Sequence, residues 1–311
     1  MEQKLWVEKY RPKSIQECIL PQQLKDTFQQ FVDDKNIPNL LLTGSAGTGK
    51  TSVAKAMCNE LGADYIVING SMKGNIDTLR NEIQSFASTV SLAGGRKYVI
   101  LDEADYLNPQ STQPALRNFM EEFSRNCGFI LTCNFRNRII DPLHSRCSVV
   151  DFRIHSGSKP RVAAELYRRA KTILKSEGVT YDDKVVAEVV KKYFPDFRRT
   201  LNQLQFYGSD KSIDSGILSL LSDSVLDTLV GYLKEKNFTK MRTWVGENTD
   251  NDPQVIFRKI YDTANKNVKE GSIPNLILIL ADYQYKSAFV ADAEVNLVAC
   301  LTEIMMKVEF K

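Results

Sequence analysis

The chain has 311 residues, enough for about two domains, and its 43% hydrophobic and 25% charged content is that of an ordinary globular protein, which excludes disorder as its main state. A formal net charge of +3, from 41 basic and 38 acidic residues, neither demands nor excludes a nucleic-acid partner, because binding follows local patches. No apolar run approaches the ~20 residues that cross a bilayer, and no secretory leader is apparent before Leu20, so a cytoplasmic protein without a membrane partner is expected.

In chain order, the first half alternates short apolar runs with helical patterns. Strands are predicted at 39–43, 65–68, 98–101, 129–132 and 149–152, and helices at about 50–61, 75–90 and 109–125. Continuous apolar strands separated by helices point to a parallel sheet covered on both faces, an α/β domain over 1–155. The polar break His155–Ser158 opens a different region. Val162, Leu166, Ala170, Ile173 and Leu174 form one apolar helical stripe that ends at Gly178. A second helix carries Val185, Val186, Val189 and Val190, and Asp196 can cap a third through Leu204. Beyond about 212 there is no strand signal, only amphipathic segments near 223–236, 253–270, 273–289 and 292–310. The expected division is therefore 1–155, 156–210 and 211–311. The six cysteines and two histidines show no metal-ligand or disulfide spacing, and free buried thiols are expected.

Gly44-Ser45-Ala46-Gly47-Thr48-Gly49-Lys50-Thr51 matches the phosphate-binding loop G-x-x-x-x-G-K-[ST], with a strand leading in and a helix leading out. Glycines let backbone N–H groups turn toward phosphate oxygens, and the helix N-terminus adds partial positive charge. Lys50 reaches the outer phosphates and the Thr51 hydroxyl suits Mg²⁺. Tyr98-Val99-Ile100-Leu101-Asp102-Glu103 delivers two carboxylates to a strand's carboxyl end, where α/β folds place ligands. Asp102 suits the metal shell, and Glu103 suits polarising an attacking water. The strand 129–132 leads to Asn134, whose neutral amide can bond a γ-phosphate without adding charge. Alone, such an Asn is more often a turn former.

Trp6-Val7-Glu8-Lys9-Tyr10-Arg11-Pro12, the phosphate loop, Asp102-Glu103-Ala104-Asp105, Thr132-Cys133-Asn134 and Ser145-Arg146-Cys147 stand in the order seen in AAA+ clamp-loader ATPases. The chain resembles replication factor C small subunits, and closer still the large clamp-loader subunits of T4-like bacteriophages. Phe194-Pro195-Asp196-Phe197-Arg198-Arg199-Thr200 and the run Asp214–Leu220 support the phage likeness. These motifs cover about residues 6–220.

The resemblance implies an AAA+ P-loop core with a parallel sheet, a small three-helix lid and an all-helical collar. It implies an ATP- and Mg²⁺-dependent hydrolase that works in a ring-like assembly, expected to be a pentamer with an unlike subunit. That assembly opens a sliding clamp and places it on primer–template DNA, in the host cytoplasm if the chain is phage-encoded. By the same resemblance, Val7, Glu8, Lys9, Tyr10 and Ile19 surround the nucleoside. Gly44, Gly47, Thr48, Gly49, Lys50, Thr51 and Ser52 hold the phosphates, and Thr51 and Asp102 the metal. Asn134 would be the first sensor of the γ-phosphate and Arg198 the second, with Arg199 the alternative, since neighbours on a helix lie about 100° apart. Arg146 would be the arginine finger that completes a neighbouring subunit's site; the bland alternative is a surface salt-bridge partner.

Phosphate tracking needs donors on an inner surface. Lys73, Asn75 and Arg80 around one helix start, and Ser111 and Thr112 at another, are the DNA candidates, with Gln113 and Arg117 sharing a face behind them. Capping and solvated helix residues are the plain alternative. Phe86, Val90 and Leu92, where a helix runs into Ala93-Gly94-Gly95, are the clamp candidates, with core packing as the alternative for Phe86. Two rivals remain. One is another AAA+ DNA-remodelling machine, which usually adds a winged helix for which this tail shows no strand pair. The other is a non-hydrolysing loader scaffold, which would typically lack Lys50 or the acidic pair.

Overall fold

The structure is a computed structural model that describes residues 5–72, 76–91, 94–209, 211–213, 224–247, 253–287, 289–290 and 292–311. It divides into two compact units, Met1–Leu218 and Ser219–Lys311. In the first, strands β1 (Leu40–Thr43), β2 (Tyr65–Asn69), β3 (Lys97–Asp102), β4 (Cys127–Cys133) and β5 (Ser148–Asp151) form a sheet of order β2-β3-β4-β1-β5. Every pairing is parallel. All five strands lie within a residue or two of their predicted positions.

Period-two alternation assigns each strand's side chains to one of two apolar layers. Leu41, Val99, Leu101, Phe129 and Leu131 pack with Leu79 and Ile83 of one helix (Ile76–Ala87, α4) and Leu116 and Phe119 of another (Thr112–Glu122, α5). On the opposite face Leu40, Leu42, Ile100 and Ile130 pack with Val53 and Met57 of α3 (Lys50–Leu61) and Phe28 of α2 (Gln22–Asp33). Helix α2 was not predicted. A short helix α1 (Trp6–Lys9) precedes it, and α6 (Asp141–His144) links β4 to β5. All six cysteines are free and buried.

Register sets the site. Thr43 pairs with Cys133 and Leu101 with Leu131, so Gly44, Asp102 and Asn134 leave the sheet at one edge.

Three helices follow in the same unit: α7 (Lys159–Ser176), α8 (Asp183–Tyr193) and α9 (Phe197–Tyr207). The starts of α8 and α9 are each written in a single residue. Asp182 accepts the Lys184 N–H, and Asp196 accepts the Arg199 N–H, both at 2.8 Å. The absence of strand past 212 needs correction: Ser212–Ile213 pairs in parallel with Thr180–Tyr181. A two-residue strand is too short to show alternation.

The second unit is helical, over Ser224–Lys234, Phe238–Glu247, Pro253–Asn267, Ile273–Lys286 and Ala293–Lys307 among the described residues. Its core gathers Leu233, Trp244, Phe257, Leu276, Leu301 and Ile304. The helix Phe238–Glu247 was missed because its buried face rests on only Met241, Trp244 and Val245. No helix among the described residues is long and apolar enough to cross a membrane.

Candidate active site

The phosphate loop leaves β1 and enters α3 through Gly49, whose φ of 92° is left-handed backbone that suits glycine. Lys50 is the residue this loop is built around. It is only 7% exposed, and its ammonium donates to the Gly44 and Ser45 carbonyls, both at 2.8 Å, and to Asn134 Oδ1 at 2.9 Å. Burial pulls its pKa below the ordinary lysine value, against the opposing pull of Cys133, Asp102 and Asp105. An incoming phosphate would stabilise the charged form.

The Thr51 hydroxyl donates to Asp102 Oδ1 at 2.5 Å, and the Thr132 hydroxyl donates to the same oxygen at 2.6 Å. Thr132 also accepts the Glu103 N–H at 3.1 Å, which ties the acidic pair to β4. Glu103 itself sits in left-handed backbone, φ 56° and ψ 45°. For a side chain with a Cβ this costs on the order of 1–3 kcal/mol, a strain that recurs where function requires it. Buried Asp105 accepts the N–H groups of Asn134 and Phe135 at 3.2 and 3.1 Å, and so fixes the loop that presents Asn134.

One cavity joins these groups. Val7, Glu8, Tyr10 and Ile19 line it together with Gly47, Thr48, Gly49, Lys50, Thr51, Ser52, Asp102, Glu103, Asn134 and Arg198. Lys9 and Gly44 are not among its lining residues: the Lys9 ammonium is turned to Glu177, and the Gly44 carbonyl accepts from Lys50. Of the adjacent arginines, Arg198 faces the cavity, whereas the Arg199 guanidinium lies 5.1 Å from the Tyr193 ring centroid. The sequence reading missed Arg169 of α7 and Thr132, both in the lining. A charged residue on an amphipathic helix has no motif to mark it. Thr132 stood inside a quoted motif, but only tertiary geometry gives it two tasks.

Helix α9 meets the phosphate loop directly. The Phe197 N–H donates to the Gly47 carbonyl at 3.0 Å. A Cβ on Gly47, whose φ is +75°, would lie 1.8 Å from Asp196 Oδ1. Gly47→Ala is therefore expected to displace the cap of α9 and strain the loop together, lowering stability by about 2 kcal/mol and weakening nucleotide binding. Thermal unfolding and a nucleotide titration measure the two effects.

Arg146 lies outside this cavity. Its guanidinium bonds Glu121 through Nε at 2.8 Å and through Nη2, and donates to the Pro142 carbonyl at 2.9 Å.

The remaining candidates divide. Arg80 and Ser111 are exposed. Lys73, Asn75 and Leu92 lie outside the described residues. Thr112 needs correction as a phosphate donor: it is 2% exposed. The free N–H groups expected at the start of α5 are engaged as well. Asn108 Oδ1 accepts from the Gln110 and Ser111 N–H groups, and its carbonyl accepts from those of Thr112 and Gln113. Gln113 lies one helical turn before half-buried Arg117 and turns inward. It is fully buried, donating to the Leu107 and Arg138 carbonyls and accepting the Ile140 N–H. Val90 is 87% exposed, whereas Phe86 is half-buried against the α/β core under the Lys97 ammonium.

Residues 158–219 match the family model described as sliding-clamp-loader large subunit, AAA+ ATPase lid domain, and residues 40–157 match that of the ATPase family associated with various cellular activities. The sliding-clamp-loader large subunit of Enterobacteria phage T4 is 36% identical over 98% of this chain and 96% of its own length. A replication factor C small subunit of Sulfurisphaera tokodaii is 33% identical over 97% of this chain and 95% of its own. Among solved structures, the Thermotoga maritima RuvB Holliday junction branch migration motor covers 76% of this chain and 85% of its own with TM-score 0.56. At 16% identity that likeness concerns the fold alone.

Proposed function

The chain belongs to the sliding-clamp-loader large-subunit family of AAA+ ATPases, and from that premise we propose that it hydrolyses ATP as one subunit of a loader that opens a ring-shaped clamp and sets it on primer–template DNA. The observation that carries this reading is the meeting of Lys50, Asn134, the Thr51–Asp102 pair and lid residue Arg198 around one cavity. Three parts share the work: a core over 1–155, a lid over 156–210 and a collar over 211–311 that joins subunits, most simply a pentamer with an unlike partner.

In this reading Val7, Glu8, Tyr10 and Ile19 enclose the nucleoside, and the phosphate loop and Lys50 hold the phosphates. Asn134 and Arg198 bond the γ-phosphate from core and lid. Thr51 and Asp102 are hard oxygen donors already in contact, the kind of set that holds Mg²⁺ beside nucleotide phosphates. The metal would neutralise charge that develops on the phosphates. Glu103 orients the attacking water. Arg146 acts on the neighbouring subunit's nucleotide. Arg80 and Ser111, with Lys73 and Asn75, follow the DNA backbone, and Val90 with Leu92 enters the clamp.

The test is steady-state ATP hydrolysis by the assembled complex, with primed DNA and a sliding clamp added singly and together. Joint stimulation is expected. A rate indifferent to both would sink the loader reading in favour of another AAA+ machine.

A further inference from the structure

The residues that line the proposed nucleoside end of the cavity are fastened to the lid. Helix α1 carries Val7 and Glu8, and Tyr10 follows it. The Trp6 N–H donates to Gln205 Oε1 of α9 at 2.9 Å, and Arg169 of α7 donates to the Tyr10 carbonyl at 3.2 Å. A third tie meets at one oxygen: Glu177 Oε1 accepts from the Tyr10 hydroxyl at 2.6 Å and from the Lys9 ammonium at 2.8 Å. The residues that follow are tied to the core, where Arg11 donates to Ser52 Oγ at 3.2 Å and the Ile15 N–H to Glu60 at 2.8 Å.

Glu177 lies outside the cavity, and its own helix does not account for it. It follows the last residue of α7, where a carboxylate meets the negative end of the helix dipole. Lys9 and Tyr10 offset that cost. Their hydrogen bonds, Lys9 first, hold the Glu177 carboxyl below the usual range, while burial and then Glu177 push the Tyr10 phenol up.

We propose that Glu177 is a positioning residue for ATP: by gripping Lys9 and Tyr10 it hangs the segment 6–10 on the lid, so the nucleoside wall closes and opens with lid helices α7 and α9. The proposal rests on the cavity being the ATP site. The segment contributes affinity and handles neither proton nor phosphate, so loosening it raises the Kd and KM for ATP and leaves kcat in place.

Glu177→Ala is expected to raise both constants roughly tenfold, the worth of a charged hydrogen bond, with kcat of the assembled complex unchanged. Glu177→Gln keeps an acceptor for the phenol without the charge and should restore part of the loss. Tyr10→Phe keeps the ring and removes only the hydroxyl. Added to Glu177→Ala it should cost nothing more, because the partner is already gone. ATP titration of the full chain and steady-state hydrolysis by the complex read these out. Wild-type Kd in Glu177→Ala, multiplicative losses in the double variant, or a fall in kcat at constant KM would each overturn the coupling. A Lys50→Ala chain that binds ATP as tightly as wild type would instead overturn the site itself, and the coupling with it.

Discussion

Arg146→Ala is expected to leave ATP binding intact while removing on the order of 10³-fold or more of the hydrolysis stimulated by clamp and DNA, the scale on which an arginine finger stabilises charge spread over the γ-phosphoryl oxygens. Within its own chain Arg146 cannot serve the cavity, because its guanidinium lies elsewhere, held by Glu121 and the Pro142 carbonyl. It therefore acts on a neighbour or not at all. The pair with Glu121 is open to water, with side-chain exposures of 33% and 59%, so it contributes little and yields readily to a phosphate. What it does supply is a parked position for a long side chain. Glu121→Ala, which removes only that position, should retain the stimulation. The check is steady-state hydrolysis by the assembled complex beside ATP titration of each variant. Stimulated hydrolysis in Arg146→Ala equal to wild type would return Arg146 to the role of a surface ion-pair partner.

Glu103→Gln is expected to bind ATP as tightly as wild type and to hydrolyse it about 10²–10⁴-fold more slowly, the loss typical of a removed general base. The two adjacent carboxylates are told apart by their partners. Asp102 Oδ1 receives both the Thr51 and Thr132 hydroxyls, so that carboxylate is already held in place. The Glu103 carboxylate has no hydrogen-bond or ion-pair partner among the described residues, while its backbone is pinned in left-handed geometry by Thr132. A free carboxylate on a fixed backbone suits a group that must take up a water proton. Single-turnover hydrolysis against nucleotide binding separates the two properties. A Glu103→Gln enzyme that turns over normally would move the base elsewhere, and one that loses ATP would make Glu103 a binding residue.

Much of this site is local in the chain. Gly44 through Thr51 is eight consecutive residues, and its chemistry is carried by backbone geometry that those residue types dictate. Asp102 and Asn134 could be placed because an apolar strand that ends in a polar residue delivers it to a sheet edge wherever the strand lies. Asp196 marked its helix because a cap is satisfied within a few residues of itself, and Asp182 caps α8 by the same local rule, although the sequence reading did not single it out. The same local logic failed at α5. The sequence offers a helix start with donors, but it does not show Asn108 taking those donors or Gln113 turning inward to bond three backbone groups.

The sequence by itself determined the α/β core and the phosphate-loop motif at the end of its first strand, because strand and helix periods and the loop pattern are local in the chain. The structure alone decided which residues meet across long separations. Thr132 bridges Asp102 and Glu103, Arg198 rather than Arg199 faces the cavity, Asp196 of the lid rests against Gly47, and Glu177 grips Tyr10 from 167 residues away. Such contacts follow from sheet register and helix rotation, which the packing of the whole unit settles and no short stretch of residues encodes.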